Sequence, residues 1–103
     1  MRYLKEEMMQ LVFSDGVVLK LKEKHGVNTS EVCECFMNRA GRFLEDTRER
    51  HRTDPPSQWF ISETDRGRRL KIVFIEKRDK GVIEIKTAYE PDEIEEHIYG
   101  KYS

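Results

Sequence analysis

His25 and the run Arg66-Gly67-Arg68-Arg69 are the residues of this 103-residue chain best suited to chemistry. An imidazole has an unperturbed pKa near neutrality, so His25 can take or give a proton at physiological pH. His25 equally suits a structural role, since a basic group at the end of a helix opposes the negative end of the helix dipole. Arg68 follows a glycine at a turn, beside Arg66 and Arg69, and opens an apolar strand. A guanidinium there can clamp a phosphate through paired hydrogen bonds, with its two arginine neighbours as further contacts. It can equally be a solvated turn charge. Lys86 and Tyr89 share a later strand at opposite parity, which in a flat strand turns them to opposite faces. Tyr89 can stack on a base or offer its hydroxyl, or it can pack half-buried at the strand's end. Trp59, the only tryptophan, fits the core. His51, in a loop of mixed charge, and His97, on an acidic helix, receive no role.

The sequence holds no P-loop, no nucleophile constellation and no metal-ligand spacing, so neither metal nor cofactor is expected. Cys33 and Cys35 lie one residue apart, which on a helix turns them about 200° from each other. They are expected to stay reduced, in a cytoplasmic protein. No stretch approaches the roughly 20 apolar residues of a membrane span, and Met1–Glu7 is too charged for a signal-peptide core.

The length favours one domain. Hydrophobic residues make up 37% and charged residues 38%, with a net charge of −1. That near-cancellation argues against disorder, which needs low hydrophobicity together with high net charge. The charge is unevenly spread. Residues 66–80 hold seven basic and two acidic side chains, whereas residues 81–103 hold two basic and six acidic ones. A basic stretch of that kind can bind phosphate or dock an acidic partner.

The elements that must position these residues follow from periodicity. Residues 70–77 and 82–89 are two strand-like runs joined by Lys77-Arg78-Asp79-Lys80-Gly81, a charged turn that suits a hairpin. Leu70, Ile72 and Phe74 point to one face, and Lys71, Val73 and Ile75 to the other, so this strand is expected to be central and covered on both sides. Gln58–Ser62 should pair with it through the Asp65-Arg66-Gly67 turn. Leu11–Phe13 and Arg42–Thr47 are candidates for short outer strands, and Arg48–Pro56 reads as a polar loop. Asp15 is the expected N-cap of a first helix that Gly26 ends. Asn28-Thr29-Ser30-Glu31 reads as a capping box opening a second helix that stops near Asn38. Met8 and Met9 are available to pack. A final helix should open at Glu90-Pro91-Asp92, bury Ile94 and Ile98, and end at Gly100. The sum is an α+β domain, with two N-terminal helices and one C-terminal helix on one face of a three- to five-stranded antiparallel sheet.

Three segments in this order resemble the BrnT family of small ribonuclease toxins from bacterial toxin–antitoxin pairs. They are Lys24-His25-Gly26-Val27 with Glu31-Val32 and Phe36; Thr64-Asp65-Arg66-Gly67-Arg68-Arg69-Leu70 with Ile72-Val73-Phe74; and Ile83-Glu84-Ile85-Lys86-Thr87-Ala88-Tyr89 with Tyr99. The resemblance runs from about Val12 to Tyr99. It implies a RelE-like fold over residues 1–103, metal-independent cleavage of RNA, and a small BrnA-like antitoxin as partner. It implies His25, Lys24 and Arg68 as catalytic residues, with Arg66, Arg69, Lys86 and Tyr89 contacting substrate. Such cleavage needs a base for the 2′-hydroxyl, an acid for the leaving oxygen and cations for the phosphorane. The family carries arginines where this chain has Glu84 and Tyr89. A second expectation therefore stands beside the first: a catalytically degenerate relative that binds protein or nucleic acid without cutting.

Overall fold

In a computed structural model of the chain, residues 9–47 and 53–103 are described. The expectations for Met8 and for His51 and its neighbours at 48–52 lie outside those residues. The elements are β1 (Gln10–Val12), α1 (Asp15–His25), α2 (Thr29–Met37), β2 (Leu44–Glu45), β3 (Gln58–Glu63), β4 (Arg69–Lys77), β5 (Val82–Tyr89) and α3 (Glu93–Tyr102). They form one five-stranded sheet in the order β1-β5-β4-β3-β2. β4 is central, as the apolar residues on both its faces require. A short 3₁₀ turn, Arg78–Lys80, joins it to β5, and Gly81 leaves that turn at φ +66°.

The sheet is mixed rather than antiparallel. β2–β3, β3–β4 and β4–β5 are antiparallel, but β1 runs parallel to β5, with Leu11 opposite Ile83. Topology is the reason: a first strand followed by two helices returns to the sheet from far along the chain, so no hairpin fixes its direction. The helices also divide between the faces. α1 and α2 cover the face bearing Phe60, Leu70, Ile72, Phe74, Ile83 and Ile85, all essentially inaccessible to solvent. Phe36 of α2 meets the Phe60 ring edge-on at 4.8 Å, and Phe43 meets Phe74 likewise at 4.8 Å. α3 lies on the opposite face, where Tyr99 packs on Trp59 at 5.7 Å.

Caps set the helix boundaries. Ser14, not Asp15, is the N-cap of α1, and its Oγ accepts from the Val17 N–H at 3.2 Å; Asp15 is the first helical residue, where its charge opposes the positive helix end. Gly26 closes α1 at φ +61°, a left-handed conformation that glycine adopts without a Cβ penalty. Asn28 and Glu31 form the expected capping box of α2. Cys35 is buried and Cys33 exposed, as their spacing dictates.

α3 departs from expectation. Its N-cap is Asp92, and it runs past Gly100 to Tyr102. Ile94 is 71% exposed and Ile98 38%, while Tyr99 is buried. Hydrogen bonding to charged groups decides the rotation: β4 presents Arg69 and Lys71 on this face, and α3 answers with Glu96 and Glu95.

A β-bulge interrupts the β4–β5 ladder. Val73 pairs with Thr87 and Phe74 with Ile85, so Lys86 is the extra residue. The bulge changes the parity expected for Lys86 and Tyr89. Lys86 reaches Glu84 at 3.7 Å, and Tyr89 pairs with Lys71, so both belong to the α3 side of the sheet.

Phe74→Ala is expected to cost about 3–5 kcal/mol of unfolding free energy, and Ile94→Ser less than about 0.5 kcal/mol. Urea denaturation measures both, and a large loss at Ile94 would contradict the exposure of that α3 face.

Candidate functional site

The end of α1, the turn before β4 and the end of β5 meet at one corner, and Arg68 joins them. Its Nε donates to Glu90 Oε2 at 2.9 Å. One terminal nitrogen donates to the Gly26 carbonyl at 2.9 Å and to the Glu31 carboxylate at 3.2 Å; the other donates to the His25 carbonyl at 3.1 Å. The Arg68 amide donates to Thr64 Oγ1, which sets the turn. The guanidinium fork suits this corner because its donors diverge in one plane. Burial alone would lower the Arg68 pKa; the hydrogen bonds and charges of Glu90 and Glu31 outweigh it and raise the value further.

His25 follows from that placement. Its carbonyl is held by Arg68, and its ring lies 5.5 Å from the Tyr89 ring, tilted by 36°. Burial, then the charges of Lys20 and Lys24, lowers its pKa below the ordinary 6.5. The imidazole is therefore neutral at neutral pH, the form that accepts a proton. Lys24 is exposed on the last turn of α1 beside it.

Tyr89 links this corner to a second cluster. Its hydroxyl donates to Glu95 Oε2 at 2.8 Å, and Lys71 Nζ donates to the same oxygen at 2.7 Å. The Asp92 amide donates to Glu95 Oε1. Lys71 is buried, with its ammonium 4.5 Å from the Trp59 ring centre and 5.6 Å from that of Tyr89. Burial would raise the Glu95 pKa, but Lys71, the Asp92 amide and Tyr89 together hold it below its ordinary 4.5. His25, Tyr89, Glu95 and Lys71 thus form a continuous chain of contacts around the end of the sheet.

The other expected residues make their contacts elsewhere. Arg69 grips Glu96 in a two-pronged pair at 2.7 and 2.8 Å on the α3 side. Lys86 is half-exposed and pairs with Glu84, which also takes Lys77 at 2.9 Å. Arg66 is exposed in the turn and makes no ion pair among the described residues. The structure therefore brings together His25, Lys24, Arg68 and Tyr89, while Arg69 and Lys86 engage Glu96 and Glu84. Lys20 and Glu31 belong to the corner, and Lys71 and Glu95 to the cluster beyond Tyr89; none of the four reads as a site residue in the sequence. A lysine in the middle of an apolar central strand was the available signal for Lys71.

Burial, then Glu34 and Glu31, pushes the Cys35 thiol up to about 12, which removes it as a nucleophile. Among the described residues no group of three or more His, Cys, Asp or Glu side chains could hold a metal ion, and no helix is long and apolar enough to cross a membrane. No family model matches the chain, and no curated protein matches it.

Two outcomes follow. Arg68→Ala should destabilise the fold by about 2–3 kcal/mol, because charged hydrogen bonds to several partners are lost at once, and Arg68→Lys should recover little of it because one ammonium cannot span them. Stability should also fall with pH in two windows. The unfolded state protonates His25 first, so the loss begins near the ordinary 6.5 and is complete below the depressed folded value. The second loss begins near 4.5, as Glu84, Glu95 and Glu96 take up protons in the unfolded state before the folded one. Urea midpoints across pH measure both, and His25→Gln should erase only the first.

Proposed function

We propose that this protein is a BrnT-like toxin of a bacterial two-gene module, with a RelE-like fold, that cuts RNA in the cytoplasm without a metal and is restrained by a small BrnA-like antitoxin. The supporting observation is the meeting of His25, Lys20 and Lys24, at the end of α1, with Tyr89 of β5 at one corner fixed by Arg68. In this reading neutral His25 takes the proton from the 2′-hydroxyl as that oxygen attacks phosphorus. The imidazolium so formed then protonates the departing 5′ oxygen. Lys20 and Lys24 hold the charge that develops on the phosphorane. Tyr89 offers its ring to a base, with its hydroxyl fixed by Glu95. Arg66 is the outlying phosphate contact. Arg68 is a positioning residue rather than a clamp, since its donors are occupied by protein oxygens.

A second reading has its own observation. Arg68, Arg69, Lys71, Lys77 and Lys86 are each matched to a carboxylate, which leaves few of the cations in residues 66–89 for a polyanion. This favours the degenerate relative that binds without cutting. One experiment separates the two. Expressed without a partner, the first kind of protein arrests growth and fragments RNA, and His25→Ala lowers the purified cleavage rate by about 100-fold or more. The acid limb of its pH–rate profile should have a midpoint below 6.5, following the depressed His25 pKa. RNA retained on the wild type for hours without fragments selects the second reading.

A further inference from the structure

Three carboxylates, Glu31, Glu90 and Glu95, contact the Arg68 guanidinium or the Tyr89 hydroxyl at the His25 corner. Two of them are occupied. Glu31 accepts from Arg68 and from the Asn28 amide, and its side chain is 20% exposed. Glu95 accepts from Lys71, the Tyr89 hydroxyl and the Asp92 amide, and is 19% exposed. Glu90 is 65% exposed, and among the described residues it meets only Arg68, whose Nε donates to Oε2 at 2.9 Å. A carboxylate has about four lone-pair sites, so most of those on Glu90 stay open. The group is nonetheless held in place. Arg68 fixes its carboxylate, and Pro91 follows it, which steers the Glu90 backbone to extended conformations. The same guanidinium binds the His25 carbonyl at 3.1 Å. Tyr89, the residue before Glu90, has its ring 5.5 Å from the His25 ring. Proton transfer at His25 leaves this oriented acceptor unused.

An open, fixed acceptor selects its ligand by the donors it meets. Guanine presents two neighbouring donors on its Watson–Crick edge, N1–H and the 2-amino group. Adenine and cytosine each set one amino donor beside a ring-nitrogen acceptor, and uracil sets N3–H between two carbonyls. Each of these three brings a repelling lone pair to a carboxylate. An arginine side chain of a protein offers paired donors too. Lys20 and Lys24, beside His25, oppose a guanidinium there and favour the phosphate that a nucleotide carries. Arg68 offsets the charge that Glu90 would otherwise turn on that phosphate. We propose that Glu90 reads guanine: the corner takes a guanosine 3′-phosphate unit, with its base on the Glu90 carboxylate beside the Tyr89 ring and its phosphate at His25, Lys20 and Lys24. The proposal rests on the reading that RNA sits at the His25 corner, whether it is cut there or only held.

The test is titration calorimetry of the full chain with the 3′-monophosphates of guanosine, adenosine, cytidine and uridine, and with that of inosine, which keeps N1–H but lacks the 2-amino group. The guanosine nucleotide should bind about tenfold or more tightly than the adenosine, cytidine and uridine ones, with the inosine nucleotide between. Glu90→Gln, with an unchanged urea midpoint, should erase the preference, because an amide presents one acceptor beside a donor. The inosine comparison needs no variant, so it decides the matter even if Glu90→Gln disturbs the Arg68 corner. Where RNA is fragmented, the upstream fragments should end in guanosine. A chain that fragments or retains RNA without preferring the guanosine nucleotide overturns the Glu90 assignment alone. So does a preference that survives Glu90→Gln, or acetylarginine amide binding more tightly than the guanosine nucleotide. A chain that binds no nucleotide and neither fragments nor retains RNA overturns the underlying reading, and the assignment with it.

Discussion

The Arg68 guanidinium is the interaction on which the rest of the structure depends. Helix α1 ends in exposed carbonyls, as every helix must, and its dipole places negative charge there. Only three residues, Gly26, Val27 and Asn28, separate α1 from α2. Val27 is buried and Gly26 is left-handed, so the corner admits little freedom. Arg68 donates to the carbonyls at the end of α1 and to Glu31 at the start of α2. Glu31 serves twice, completing the α2 capping box and balancing Arg68. Glu90 adds the strand leading to α3. One side chain thereby fixes two helix ends against the central hairpin, and it fixes His25 and the ring contact with Tyr89 with them.

The same pairing reshapes the electrostatics. Of the seven cations in residues 66–80, Arg68, Arg69, Lys71, Lys77 and Arg78 each contact a carboxylate. Four of these five draw at least one such partner from residues 84–96, the acidic end of the chain. The basic stretch that stands out along the sequence is therefore largely cancelled in space. Among the described residues, the cations without such a partner include Lys20 and Lys24, on a helix whose linear charge is unremarkable. The more exposed of these pairs, those of Lys77 and Arg78, add little stability each. Their larger effect is on what the surface attracts.

Local rules were readable wherever a short segment determines its own structure. The capping box at Asn28, the glycine stop at Gly26, the β4–β5 hairpin and the central place of β4 all follow from a few neighbouring residues. Features set by distant partners were not. β1 pairs in parallel because of what lies between it and β5. α3 turns Ile94 and Ile98 outward because Glu95 and Glu96 find Lys71 and Arg69, a choice that depends on another strand's pleat. The bulge at Lys86 changes the side it faces, which no alternation rule foresees. At the candidate site, His25 and Tyr89 could be named singly from the sequence. That they touch, and that Arg68 is engaged by oxygens of the protein, depends on a corner assembled from residues more than forty positions apart.

The division of the helices between the two faces carries the last consequence. α1 brings lysines to one side of the β5 end, and α3 brings carboxylates to the other. Tyr89 stands at the boundary, its ring near His25 and its hydroxyl on Glu95. The two sides are joined by direct contacts: Glu95 holds both Tyr89 and Lys71, and Lys71 lies against Trp59.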